Sequence, residues 1–329
     1  MSTLKPLIVI LGPTASGKSE MALKLAKKYD GEIINADSRQ VYKEMVIGTG
    51  SPAQIENENI KNKSDNAKVK NRSFQPITLN NIPHHLFHFV SPKKSFSVAE
   101  YKRSAIKMIR NIHKKNKLPI LVGGTGLYIR AIVDNLNIPK APPNDKIRIA
   151  LEKRSTEKLF SMLNKIDPRS ASVIGRHNKR KLIRALEVYK ITGKPFSSQQ
   201  IKGDQLFNVL EIGVSINRDK LYKKIDLRVD NMIENGLIDE TKHLIKKYSV
   251  KLPAMTGIGY KEIGQYLSGE LALPEASQRI KFRTHQYARR QMTWFKRDDR
   301  IRWIGNFSET KKYIDEFLLN ANCKIKKSK

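Results

Sequence analysis

The chain opens on a short apolar run, Leu7-Ile8-Val9-Ile10-Leu11, which stops at Gly12 and gives way to Met21, Leu25 and Tyr29 in one stripe beside Ala22 and Ala26. A continuous apolar run bounded by glycine predicts a strand buried on both faces, and the 3.6-residue period behind it predicts a helix packed on the sheet. Glu32 to Ala36 predicts a second short strand leading into Asp37-Ser38-Arg39-Gln40-Val41-Tyr42. Val98, Tyr101, Ala105, Met108, Ile109 and Ile112 trace one face of a basic crossover helix. Leu118 to Val122 repeats the buried-strand pattern and ends in Gly123-Gly124-Thr125-Gly126. The expected class is α/β, a parallel sheet flanked by helices.

The pattern breaks in several places. From Ile55 to Asn81 asparagine, lysine and serine dominate, which predicts a surface insertion without its own core, order returning at Ile82-Pro83-His84-His85-Leu86-Phe87. No third ligand stands at metal spacing from His84 and His85, so a structural or hydrogen-bonding role is expected for them. Pro139, Pro142 and Pro143 mark a boundary, after which Ile147, Leu151, Leu159, Phe160 and Leu163 predict amphipathic helices and no strands. Val209 to Ile216 reads as a return to the core sheet. Helices through Leu221, Ile225, Val229, Met232, Leu244 and Ile245 follow it. In a long helix from Glu275, Ile280, Tyr287 and Trp294 recur every seven residues, as do Arg283, Arg290 and Arg297. One stripe is expected to pack, Tyr287 and Trp294 with it unless they form a stacking platform, and the cationic one to meet an anionic partner. The divisions are thus a core over 1–138 carrying the 55–81 insertion, a helical insertion over 139–206, and 207–329 returning to the sheet before C-terminal helices and a basic tail beyond Asn320.

Charge narrows the partner. A formal net charge of +32 in 329 residues points to a polyanion, most simply nucleic acid. The single cysteine, Cys323, excludes disulfides within the chain and a cysteine-built zinc site. No signal sequence or membrane-spanning run is evident, which predicts a cytoplasmic protein, and no self-complementary apolar stripe asks for a dimer, so a monomer is expected.

The chemistry gathers at the turns. Gly12-Pro13-Thr14-Ala15-Ser16-Gly17-Lys18-Ser19, between strand and helix, fits a phosphate-binding loop: backbone N–H groups converge on an anion, Lys18 reaches it, and the Ser19 hydroxyl can hold Mg²⁺. The following helix points its positive end at the same spot. A nucleoside triphosphate or any pyrophosphate satisfies those donors. Asp37, at the carboxyl edge of the sheet, suits a general base or a holder of metal-bound water, with an Asp-Ser cap as the plainer reading. Glycines and Thr125 stand where many nucleotide hydrolases carry an acid, which favours a second anion cradle over an ATPase; a tight turn is the alternative. Arg218, just past a strand, is expected to face the glycine loop and bind a diphosphate bidentately, or else to be a surface arginine. Asn178 to Tyr189 puts Leu182, Ile183 and Leu186 inside and Arg180, Lys181 and Arg184 outside, where they bind an RNA backbone or form a solvated face.

These motifs, together with Ile-Pro-His-His-Leu, Arg184-Ala185-Leu186-Glu187-Val188, Arg218 with Leu221-Tyr222, Gly257-Ile258-Gly259-Tyr260-Lys261-Glu262 and Tyr287 to Phe295, resemble the tRNA dimethylallyltransferase family, or tRNA isopentenyltransferases, over nearly the whole chain. The form is that of bacterial members without a C-terminal zinc finger. The resemblance implies a P-loop NTPase-like core with an inserted all-helical subdomain. It further implies transfer of a dimethylallyl group from dimethylallyl diphosphate to the exocyclic amine of the adenosine 3′ of the anticodon, in tRNAs reading codons that begin with U. Gly12 to Ser19 then hold the diphosphate with Mg²⁺ on Ser19. Lys18, Thr125 and Arg218 stabilise the leaving group, and Asp37 takes the amine proton. The tRNA anticodon stem-loop falls to Asp37, Ser38, Arg39, Gln40 and Thr125, and to Arg180, Lys181, Leu182, Ile183 and Arg184. The target base must swing out, with Gln40 placed to read its edge. Three departures stand out: a longer insertion, His88 where the family commonly has Asp, and His285 where it commonly has Arg. Other readings are a P-loop kinase of a small metabolite, a prenyltransferase of free adenine nucleotides, and an RNA-binding module with a vestigial loop.

Overall fold

A computed structural model describes residues 4–52, 76–199, 201–249 and 252–321. It divides into two compact units, one of residues 1–129 and 206–329 and the other of Arg130–Gln205. Among the described residues no helix is long and apolar enough to cross a membrane.

The larger unit is built on a sheet whose centre is β1 (Pro6–Leu11), buried at every position. β5 (Leu118–Gly123) and β6 (Asn208–Val214) flank it in parallel, with Leu11 opposite Gly123 and Gly213. β2 (Gly31–Asn35) pairs outside β5, then β4 (Ile82–His85), and β7 (Arg302–Ile304) pairs outside β6, all in parallel. Bulky β-branched residues and no free faces explain the unbroken apolar strands. α1 (Lys18–Lys28) covers the sheet through Ala22, Leu25 and Ala26. α2 (Val98–Lys114) begins at a capping box between Ser97 and Glu100. Parallel strands bring the ends of β1, β2 and β5 to one edge, the position the sequence assigns to its three chemical turns.

The insertion reading needs one correction. Ile77–Leu79 forms β3, antiparallel to β4, joined through Asn80 and Asn81 at φ 49° and 62°. Two asparagines in the left-handed region make a tight hairpin that composition alone hid. Residues 55–75 of the insertion lie outside the described residues, as does the tail from 322. His84 and His85 are structural. His85 Nε2 lies 2.6 Å from the buried Glu32 carboxylate, and His84 Nδ1 meets the Ile82 carbonyl at 2.8 Å. Burial opposes ionisation of Glu32, but hydrogen bonds from His85 and Lys115 outweigh it and hold the carboxyl below its usual range.

The smaller unit is helical throughout: α4 (Asp145–Glu152), α5 (Thr156–Ile166), α6 (Pro168–Ile174), α7 (Lys179–Thr192) and α8 (Phe196–Gln199), preceded by the end of α3 (Gly126–Val133). Asn144, Ser155, Asp167 and Asn178 cap successive helices. Its base closes earlier than the prolines suggest, because the Asn137 N–H bonds the Ile201 carbonyl at 2.9 Å and the Gly203 N–H the Asp134 carbonyl at 3.2 Å. Leu182 and Ile183, expected at the tRNA, are instead buried in this unit's own core with Leu151, Leu159, Leu163 and Leu186. Arg184 is likewise engaged internally. With Arg148 it grips the fully buried Glu187, and it donates to the Ala141 carbonyl at 2.9 Å. Arg180 and Lys181 remain exposed on the outer face.

After β6 come α9 (Arg218–Glu234), α10 (Leu237–Tyr248), a 3₁₀ turn (Pro253–Thr256), α11 (Tyr260–Leu267), α12 (Leu273–Phe295) and, beyond β7, α13 (Phe307–Asn320). α9 to α12 share a core with Val41, Tyr42 and Met45 from the chain after β2. That core fixes the helices against the chain that follows β2.

Candidate active site

The glycine loop turns sharply between β1 and α1. Gly17 holds φ 90°, which only glycine adopts without strain, and the first helical hydrogen bond runs from Met21 N–H to the Gly17 carbonyl. The amides at the start of α1 are therefore left for a ligand. The Ser16 hydroxyl, in a residue 6% exposed, has no hydrogen-bond partner, an orphan polar group in a loop built of donors. Lys18 folds its ammonium back onto the Pro13 carbonyl at 3.1 Å.

The Asp37 turn is held from below by Asn35, which sequence reasoning passed over. Buried completely, Asn35 accepts the Asp37 N–H at 2.8 Å and donates to the Asp37 and Leu86 carbonyls. One Asp37 oxygen accepts the Arg39 N–H at 2.8 Å. Thr125 joins the neighbouring turn to it, since its hydroxyl accepts the Ser38 N–H at 3.0 Å and reaches Ser38 Oγ at 3.3 Å, while its own N–H donates to the Ala36 carbonyl. Gln40 donates to the Thr49 and Gly50 carbonyls, each at 3.2 Å, which leaves its carbonyl oxygen for a ligand.

Beside these turns lies a cavity of about 450 Å³. Thr14, Asp37, Ser38 and Arg39 form its polar end, and Ile225, Val229, Met232, Ile258 and Ile280 supply apolar wall. Arg218 is not among the arginines that line it. Arg218 is exposed at the start of α9, donates to the Tyr222 hydroxyl at 3.2 Å and lies over that ring. Arg228, nearly three turns further along the same helix, reaches the Thr14 hydroxyl at 3.3 Å and the Thr49 carbonyl at 3.5 Å. Distance past a strand favoured Arg218; helical phase, which brings Ile225, Arg228 and Val229 to one face, selects Arg228. Glu240 stiffens the opposite rim by accepting the Val46, Ile47 and Gly48 N–H groups and the Tyr260 hydroxyl.

Two desolvated cations and one carboxylate face each other here. Burial pushes the Lys18 ammonium down to about 8, against the pull of Asp37 and with the repulsion of Arg228. Burial also lowers Arg228, against Asp37. An arriving polyanion supplies the missing counter-charge. Affinity for inorganic diphosphate is therefore expected to hold below pH 8 and to weaken by about tenfold per unit well above it, because the free site then carries neutral Lys18. Calorimetry between pH 7 and 9.5 checks this, with Lys18→Ala giving the slope of the ligand's own ionisation; matching slopes would place Lys18 away from the anion. For folding the sign is opposite. A lysine lowered from 10.5 to about 8 burdens the native state fully below 8, and the burden fades as pH rises to 10.5.

α12 closes the site and departs from the packed stripe expected of it. Tyr287 lines the cavity and hydrogen-bonds Thr125, and Trp294 is 42% exposed. Gln291, between them, is 5% exposed and takes the inward position. Arg283 is bound to the buried Glu262, whereas Arg290 is exposed and lines the cavity. His285 stacks on Tyr222 with centroids 4.1 Å apart and its Nε2 lies 2.8 Å from Asp226, and His88 bonds Ser51 and the Tyr42 carbonyl.

Two family models match: one described as isopentenyl transferase over residues 5–69 and one as IPP transferase over 67–298. The chain is 41% identical over 307 residues to a tRNA dimethylallyltransferase of Dehalococcoides mccartyi, covering 92% of this chain and 88% of the relative. It is 42% identical over 320 residues to that of Carboxydothermus hydrogenoformans, covering 95% and 96%. Among solved structures it is similar to the full-length tRNA isopentenylpyrophosphate transferase of Bacillus halodurans, with TM-score 0.68, 35% identity and coverage of 97% and 98%. A eukaryotic dimethylallyltransferase acting on tRNA gives TM-score 0.74 at 28% identity, covering 98% of this chain and 81% of the other.

Proposed function

This chain belongs to the tRNA dimethylallyltransferase family, and from that premise we propose that it moves a dimethylallyl group from dimethylallyl diphosphate onto the exocyclic amine of the adenosine 3′ of the anticodon. The observation that carries this reading is a cavity with Arg228 and one carboxylate, Asp37, at its polar end and an apolar wall, beside a glycine loop whose Lys18 feels the charge of both. A diphosphate fits the cations, a prenyl group the wall, and an amine the carboxylate.

Bond breaking at the allylic carbon moves an electron pair onto the departing diphosphate. The N–H groups of Gly17, Lys18 and Ser19, left over at the start of α1, meet that charge with the Lys18 ammonium and Arg228. Asp37, with one oxygen free of the Arg39 N–H, takes the proton of the amine as the new C–N bond forms. Ser38 and Thr125 hold the turn that aims it. The target base has to leave the loop stack to reach a cavity of this kind, and Arg39 and Arg290 line it for the nucleotide, with Gln40 bonded to the lining residue Thr49 behind them. Arg180 and Lys181, exposed on α7, suit the RNA backbone.

Ser19 fits a magnesium ion: it stands on the first turn of α1 with its hydroxyl in no hydrogen bond to the protein among the described residues. The rest of its shell would come from diphosphate oxygens and water. When bound, the ion supplies further neutralisation of the leaving group. We read the protein as a monomer that works in the cytoplasm, where its tRNA acceptor would be met.

The test incubates purified protein with labelled dimethylallyl diphosphate, Mg²⁺ and unmodified tRNA, then digests the RNA. Label in the modified adenosine is expected. Label on AMP in preference to tRNA, or phosphoryl transfer from ATP without prenylation, would replace this reading with one of its alternatives.

A further inference from the structure

Gln291 takes no part in the chemistry above, yet it is the one amide among the buried positions of α12, which are otherwise Ala276, Ile280, Ala288 and Phe295. Both ends of that amide are committed. Its Oε1 accepts the Thr14 N–H at 2.9 Å and its Nε2 donates to the Gly124 carbonyl at 2.8 Å. The two partners belong to different turns, one following β1 and one following β5. The ladder between those strands ends at Leu11 and Gly123, so the turns lie just past the reach of the sheet. A planar amide bonded to both fixes their separation where the sheet no longer does. The approach is close: a Cβ on Gly124 would come within 2.1 Å of Gln291 Nε2, so a side chain there would push the amide from its place. One turn earlier on α12, Tyr287 holds Thr125 of the second turn.

We propose that Gln291 is a positioning residue that keeps the diphosphate cradle in register with the Thr125–Asp37 side, where the acceptor amine loses its proton. The inference rests on the function proposed above. Its consequence is chemical. As the allylic C–O bond breaks, its electron pair leaves with the diphosphate and the carbon accepts the next lone pair within reach. In register, that is the amine's, and the proton passes to Asp37. Out of register, a water oxygen bonds the carbon instead, releases a proton to solvent, and gives dimethylallyl alcohol.

Gln291→Met keeps the length and loses both hydrogen bonds, and Gln291→Glu keeps an acceptor toward Thr14 while losing the donor to Gly124. With the full chain, labelled donor and unmodified tRNA, both variants should lose about tenfold to thirtyfold in kcat per folded molecule. The ratio of alcohol to prenylated tRNA should rise at least about fivefold, and tRNA affinity should stay within about twofold. Partial unfolding lowers both products together and leaves the ratio unchanged, so the ratio separates position from stability. An unchanged ratio in both variants, with or without a lower kcat, would overturn the assignment and reduce Gln291 to support of the fold. Failure of the unaltered protein to prenylate tRNA would instead defeat the function itself.

Discussion

Lys18→Ala is expected to slow prenyl transfer about 10³-fold, near 4 kcal/mol of transition-state stabilisation, while tRNA binding changes by less than about threefold. The reason is where its charge is used. In the free protein the ammonium rests on the Pro13 carbonyl, half-buried beside Asp37 and Arg228 and lowered to about 8. It is thus poorly solvated before the donor arrives and has little solvation left to lose when diphosphate charge develops against it. Single-turnover rates with saturating tRNA, set against filter-binding affinities, separate the two effects. Equal losses in rate and tRNA affinity would mean that the lysine meets RNA and not the leaving group.

Arg228→Ala is expected to cost about 10²-fold in kcat/KM for the donor, against less than about tenfold for Arg218→Ala. Arg228 reaches Thr14 of the glycine loop from the cavity wall, and its removal also leaves Asp37 facing one cation in place of two. Arg218, stacked on Tyr222 in solvent, keeps most of its hydration, and a charge in that setting is worth little. The paired measurement decides which guanidinium attends the diphosphate. The reverse order of losses would show that Arg218 leaves Tyr222 for the donor, as its place just after β6 first suggested.

Much of this protein was legible in one dimension. Gly12 to Ser19 declare an anion loop because the spacing of glycine, lysine and serine is itself the geometry of a strand-to-helix turn. The Asp37 and Thr125 turns could be placed side by side because parallel strands end along one edge, so a turn's place in the chain gives its place in space. The helical unit was legible from its 3.6-residue period, down to Leu182, Ile183 and Leu186 on an inner face.

What sequence alone determined, then, are the features carried by neighbours in the chain: the loop, the strands, the buried faces, the family. Tertiary structure decided the features that depend on which distant side chain arrives. It brought Arg228 to Thr14 of the loop through the phase of α9, drew Arg184 inward onto Glu187, and set Gln291, distant in sequence from Thr14, between two turns. A cation in a sequence carries no sign of whether its partner is a buried carboxylate, a ring or a ligand. That choice belongs to packing, which brings together groups whose separation along the chain holds no information about their contact.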